Sequence, residues 1–86
     1  MLTKELVKGQ RVRLRNGWEA VLTRKPGSVI AEARVFVFGY VTEVGSVYCH
    51  DIIHAQAQDG FGAWVRVRHT PAQLRCRRAH EFAFGP

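Results

Sequence analysis

The sequence predicts a mainly β fold: a small antiparallel barrel of about five strands with one α-helix laid against it at the C-terminus. Three observations carry that expectation. Short segments alternate apolar and polar residues with the two-residue period of a half-buried strand. Turn dipeptides such as Asn16-Gly17 and Pro26-Gly27 separate them. The one stretch with helix-start chemistry, Thr70-Pro71-Ala72-Gln73, follows the strands, so no crossover helix lies between them and a split ferredoxin-like arrangement is disfavoured.

Residues 1–9 read as a lead-in, with a helical turn from Thr3 to Val7 ended by Gly9. From Gln10 to Arg15, Val12 and Leu14 share one face while Arg11, Arg13 and Arg15 share the other. Asn16-Gly17 suits a two-residue type I′ turn, because both residue types tolerate positive φ, and Trp18 to Arg24 returns as the second strand. Lys25-Pro26-Gly27-Ser28 has proline to fix φ and glycine placed to supply a positive φ. Val29 to Phe38 is rich in β-branched and aromatic residues, and its end becomes apolar on both faces. Gly39 marks a bend or bulge. Tyr40–Val44 and Ser46–His50 are then expected to pair across a turn containing Gly45. Asp51-Ile52-Ile53 reads as a helical turn and residues 56–62 as a loop. Ala63 to His69 alternates again, with Trp64, Arg66 and Arg68 on one side. Thr70 as cap, Pro71 at the first helical position and Gln73 as the reciprocal cap predict a helix over 71–82, with Ala72, Cys76, Ala79 and Ala83 along one stripe. Taken together, strands over 10–69 and one terminal helix fit a Src-homology-3-like barrel, in a single domain spanning 1–86.

Size and composition narrow the function classes. Eighty-six residues form one domain near the lower limit for independent folding, and 47% apolar content supplies a core. No apolar run is long enough to cross a bilayer, and the opening MLTKELVKGQ lacks the apolar core of a signal peptide, so the expectation is a cytoplasmic protein without a membrane role. Two cysteines, Cys49 and Cys76, make no disulfide framework. The net charge of +6 is unevenly distributed. Residues 1–25 hold seven basic and two acidic side chains, residues 26–60 one against four, and residues 61–86 five against one. Ten of the thirteen basic residues are arginine, whose planar fork matches phosphate and carboxylate.

Cys49, His50, Asp51 and His54 crowd one stretch, VTEVGSVYCHDIIH, and ask whether it is a metal or catalytic site. Cys49 and His54 with Cys76 and His80 would supply two thiolates and two imidazoles, the last pair four apart on one helix face. No Cys-x-x-Cys knuckle anchors such a site, and free cysteine is commonly a small core residue. A Cys–His catalytic pair is not expected either, because Cys49 and His50 as strand neighbours point to opposite faces. The expectation is a structural hairpin, with no enzyme activity, no metal and no cofactor.

The arginine pattern is the stronger functional signal. Arg11, Arg13 and Arg15 recur every second residue, roughly 7 Å apart, a step comparable to that of successive phosphates. Arg66 and Arg68 repeat the pattern beside Trp64. If the first and last strands are neighbours in a closed barrel, the two ladders merge into one patch, extended by Arg75, Arg77 and Arg78 from the helix. Trp18 and Trp64 would then stack bases, although both also fit core packing. Arg11, Arg13, Arg15, Arg66, Arg68, Trp18 and Trp64 are therefore the candidate nucleic-acid-binding residues. The competing expectation is a protein-interaction or regulatory module, self-associating through the doubly apolar segment ARVFVFGY.

Three segments together, GQRVRLRNGWEAVL at 9–22, TEVGSVYCHDI at 42–52 and HTPAQLRCRRA at 69–79, resemble small uncharacterised bacterial proteins of plasmids, integron cassettes and similar mobile elements. That resemblance implies a small barrel with a C-terminal helix and carries over no functional residue. The first segment also looks a little like a KOW-type or Tudor-type strand pair, but lacks the downstream glycines of the KOW pattern.

Overall fold

In a computed structural model, which describes residues 1–37, 40–58 and 61–85 and only the backbone of 41–43, the first alternating segment forms strand β1, Arg11–Leu14. Val12 and Leu14 are buried and Arg11 is exposed, as the period demands. The hairpin that follows differs from the expected two-residue turn. The Leu14 N–H donates to the Trp18 carbonyl and the Gly17 N–H to the Leu14 carbonyl, so the loop holds Arg15, Asn16 and Gly17. Only a three-residue loop with glycine at its left-handed position closes this way, and Gly17 takes φ of 92°. Strand β2, Glu19–Leu22, returns along β1 with Val12 opposite Ala20.

At the next turn Gly27 does not adopt positive φ; instead a Cβ there would lie 3.1 Å from the Ile30 carbonyl oxygen, so close backbone approach selects glycine. Strand β3, Ile30–Val37, pairs with β4, Tyr40–Tyr48. This corrects the expected pair of short strands around Gly45: that glycine sits within one continuous strand, opposite Ala33. The bend expected at Gly39 lies outside the described residues. Cys49–Asp51 form a 3-10 turn, and Cys49 and His50 are both buried there, so neither is the mid-strand residue that alternation suggested.

The next strand, β5, spans Ile52–Gln56 and was not legible as one. Its register against β1 shifts between Arg13, opposite His54, and Leu14, opposite Ile52. The extra residue, Ile53, lets both Ile52 and Ala55 turn inward although they are three apart. That bulge destroys the two-residue period by which strands are recognised. Strand β6 is short, Trp64–Arg66, and pairs with β5. Beyond it Arg68 makes an isolated parallel bridge to Leu2.

The sheet order is β4-β3-β2-β1-β5-β6, antiparallel throughout, an open sheet of six strands rather than a closed one of five. The opening and closing strands are thus not neighbours, because β5 is inserted between them. The inward faces supply the core: Val12, Leu14, Ala20, Leu22, Ala31, Ala33, Ile52, Ala55 and Val67, closed by Leu6 and Cys49.

Helix α1 runs Pro71–Phe84, two residues past the expected end. Its start is the predicted capping box. Gln73 N–H donates to Thr70 Oγ1 at 3.2 Å, and Thr70 N–H donates to Gln73 Oε1 at 3.0 Å. What docks the helix is different from the apolar stripe expected, since Ala79 and Ala83 are exposed. Gln73 is its one buried side chain, and its Nε2 donates to Thr3 Oγ1 at 2.6 Å and to the Ser28 carbonyl at 2.8 Å. His69 Nε2 lies 2.8 Å from the Ile52 carbonyl just before the helix. No helix of the described residues is long and apolar enough to cross a membrane.

Because the Gln73 amide joins the helix start, a 3-10 turn at Thr3–Glu5 and the β2–β3 connection, Gln73→Ala removes three bonds and strands the buried Thr3 hydroxyl. It should cost about 2–3 kcal/mol, read as a lower urea midpoint by circular dichroism, whereas Ala79→Ser on the exposed side should leave the midpoint unchanged.

Candidate nucleic-acid interface

Alternation places Arg11 and Arg13 on the outer face of the sheet, and the strand registers decide what joins them there. Arg13 is opposite Glu19 on β2 and His54 on β5; Glu19 is in turn opposite Phe36, and His54 opposite Arg66. One row across five strands therefore reads Arg66, His54, Arg13, Glu19, Phe36. Arg34 lies in the next row, opposite Val21 and Val44. Inward-facing neighbours on the same strands are the core residues, so the arginines and Phe36 share the outer face with Glu19, His54, Val21 and Val44.

Strand β5 separates the two arginine strands, yet the patch survives. Arg13 reaches across β5 and sets its guanidinium 4.1 Å from the centre of the Trp64 ring. Such a contact is worth about 0.5–1 kcal/mol at an exposed site and keeps the guanidinium beside the ring. Arg11 is shared between Glu19, at 2.6 Å from Nε, and the Phe36 ring, at 5.4 Å. Among the described residues, Arg13, Arg34 and Arg66 pair with no acid, so their charge is uncompensated and directed outward. His54 sits between Arg13 and Arg66, and its Nδ1 is enclosed with no hydrogen-bond partner.

Not every candidate belongs to this face. Arg15 leaves the strand at the hairpin loop and is held by Asp51 at 2.7 Å and Glu81 at 3.4 Å. It clamps the β1 end to the 3-10 turn and the helix, a structural use that occupies its fork. Glu81, held also by Arg77 at 2.9 Å, has its carboxyl pulled below the ordinary range by those bonds. Trp18 is opposite Leu14 and so lies on the inner side, at the rim of a groove of about 810 Å³ with Val35, Val47, Tyr48, His80 and Phe84. Arg75 and Arg78 are exposed on the helix, whereas Arg68, exposed beyond the end of β6, continues the outward alternation of Trp64 and Arg66. The residues that sequence reasoning missed, Arg34, Phe36 and His54, were hidden because their place on the face depends on which strands are neighbours.

The Cys/His set does not converge. His54 is on the outer face, whereas Cys49 is buried with its Sγ 3.6 Å from the Gly27 carbonyl. Burial, with the Cys76 thiol adding, pushes the Cys49 pKa up and away from the reactive thiolate. Among the described residues no three His, Cys, Asp or Glu side chains gather as a metal site. His80 instead lies against Tyr48 and Phe84, and Tyr48 stacks on His50 with 5.0 Å between ring centres.

No family model, no curated protein and no solved structure matches this chain. What the geometry defines is a class: a small β-sheet protein with one arginine–aromatic face and one partly filled apolar face.

His50 yields a pH prediction. It is 1% exposed, its Nε2 has no hydrogen-bond partner, its Nδ1 has only Asp51 Oδ1 at 3.3 Å, and burial lowers its pKa from 6.5. Asp51 opposes that shift, while Arg15 and His80 reinforce it. The unfolded chain therefore takes up the proton more readily, so stability is fully present above about pH 6.5 and is lost as pH falls below it. The melting temperature should drop between pH 7.5 and pH 5.5, and His50→Phe, which keeps the stack on Tyr48, should flatten that dependence.

Proposed function

We propose that this protein is a small basic binding module that holds nucleic acid on the outer face of its sheet, through arginine–phosphate contacts and stacking, without strong sequence preference. The observation that carries the reading is the presence of Arg13, Arg34 and Arg66, unpaired with acids among the described residues, together with Trp64 and Phe36 on one side of the sheet. Phosphates need fixed positive charge and bases need flat apolar or guanidinium surfaces; this face offers both. The reading narrows the sequence-derived set to Arg11, Arg13, Arg66, Arg68 and Trp64 and adds Arg34 and Phe36. It assigns Arg15 and Trp18 elsewhere. Catalysis is no part of it.

Two finer statements belong to the same proposal. The small antiparallel sheet packed around one core with a C-terminal helix supports reading the architecture as an open variant of the Src-homology-3-like barrel, with β5 between β1 and β6. The lack of a disulfide framework and the buried free thiol Cys49 favour a reducing, cytoplasmic setting.

Fluorescence titration with labelled single- and double-stranded oligonucleotides tests the reading. With three or four phosphates neutralised, affinity between 50 and 200 mM salt should fall ~40–150-fold for duplex and ~20–50-fold for single strands. Trp64→Ala should weaken single-strand binding by about 10-fold and Arg13→Ala with Arg66→Ala should flatten the salt slope, while Trp18→Ala leaves both unchanged. No binding at low salt, or binding indifferent to salt, refutes it.

A further inference from the structure

An open sheet has two edges, and this chain treats them differently. The β6 edge is three residues long, carries Arg66, and runs into Arg68, whose N–H donates to the Met1 carbonyl. Short length and charge are how proteins keep an edge from pairing with another chain. The β4 edge is nine residues long, with Glu43 its only charged residue and no proline. It has a bulge, but the register shift lies between Val41 and Val44, so Val44–Tyr48 is a regular run. Along that run every second backbone N–H and C=O faces away from β3, and no strand of the described residues lies beside it.

Three further features make the run complementary to itself. Val44 and Tyr48 are 45% and 39% exposed on one face of the strand. On the other face Gly45 leaves a gap: a Cβ there would meet nothing within 4 Å, and the residue does not adopt positive φ. Neither backbone conformation nor crowding within its own chain therefore asks for glycine at that place, and a glycine inside a strand often marks where something else comes close. Finally, the segment is free of basic residues in a chain of net charge +6, so two copies can meet there without bringing their arginines together.

We propose that two copies of this chain pair antiparallel through Val44–Tyr48, centred on Ser46, so that the two sheets become one of twelve strands. In that register Val44 of each copy covers Tyr48 of the other, and Val47 of each leans into the gap at Gly45 of the other. Phe84, 79% exposed beside Tyr48 at the groove rim, and Tyr40, also 79% exposed, extend the contact beyond the paired run. Tyr40 and Phe84 each withdraw ~150 Å², Tyr48, already more than half covered, withdraws less, and with Val44 and the paired backbone of both copies the buried total is on the order of 1,000 Å², at the lower limit for a specific interface. The two-fold axis of such a pair is perpendicular to the sheet, so both arginine faces point the same way. The pairing does not depend on nucleic-acid binding.

Sedimentation velocity on the full chain without nucleic acid, over ~5–500 μM, tests it, the range reaching high concentration because interfaces at this low end of the size scale are typically weak. The expected result is a mass rising from 9.7 kDa towards twice that value. Ser46→Lys and Ser46→Glu each place like charges across the axis, so each alone should stay monomeric with an unchanged circular dichroism spectrum. An equimolar mixture of the two should dimerise again, because opposite charges then face each other. A wild-type chain monomeric at 500 μM overturns the proposal, as does a mixture no more associated than its components.

Discussion

Everything on this molecule is registered against β1. It lies third from one end of the six-strand sheet, with β2, the next strand in the chain, on one side and β5, from the second half of the chain, on the other. Val12 and Leu14 must face the core, so Arg11 and Arg13 must face out. A slip of one residue against β2 or β5 would put guanidinium groups into the core and valine into water. The cost of burying even one unpaired guanidinium exceeds the stability of an ordinary small domain. The register that protects the core is therefore the same constraint that assembles the arginine face.

Around that strand the chain is held by polar anchors more than by apolar helix packing. The helix presents Phe82 at 95% and Phe84 at 79% exposure, and only Gln73 is buried. Its position is set at one end by the Gln73 amide and at the other by Arg15, which reaches Glu81 while also holding Asp51. Directional bonds fix orientation but withdraw little apolar area from water. That division leaves the inner groove and the β4 side of the sheet partly uncovered, and it is on this side that the pairing of two copies is argued.

Legibility followed locality. The β1–β2 hairpin, the capping box at Thr70 and Gln73, and the outward arginines were readable because each is determined within about ten residues. The hairpin loop was misjudged by one residue, since Asn-Gly also serves a three-residue loop in which glycine alone takes positive φ. Gly45 looked like a turn residue by its neighbours, but β3 offered it a strand partner in Ala33, and tertiary pairing overrode local preference. Strand β5 escaped notice because the bulge at Ile53 breaks its alternation. The site was half legible: Arg11, Arg13, Arg66 and Trp64 came from alternation, whereas Arg34, Phe36 and His54 required the strand order, and Arg15 and Trp18 were removed from the face by loop geometry.

The amino-acid sequence by itself determined the class of fold, the side of each alternating strand that meets water, and the start of the helix, because steric and solvation rules act between near neighbours in the chain. Only the tertiary structure decided that β5 would enter between the first and last strands, that Arg13 would still reach Trp64 across it, and that β4 would be left at an edge. Strand order depends on contacts between residues tens of positions apart. Those contacts are chosen by which apolar faces can be buried together, a competition that no local pattern encodes.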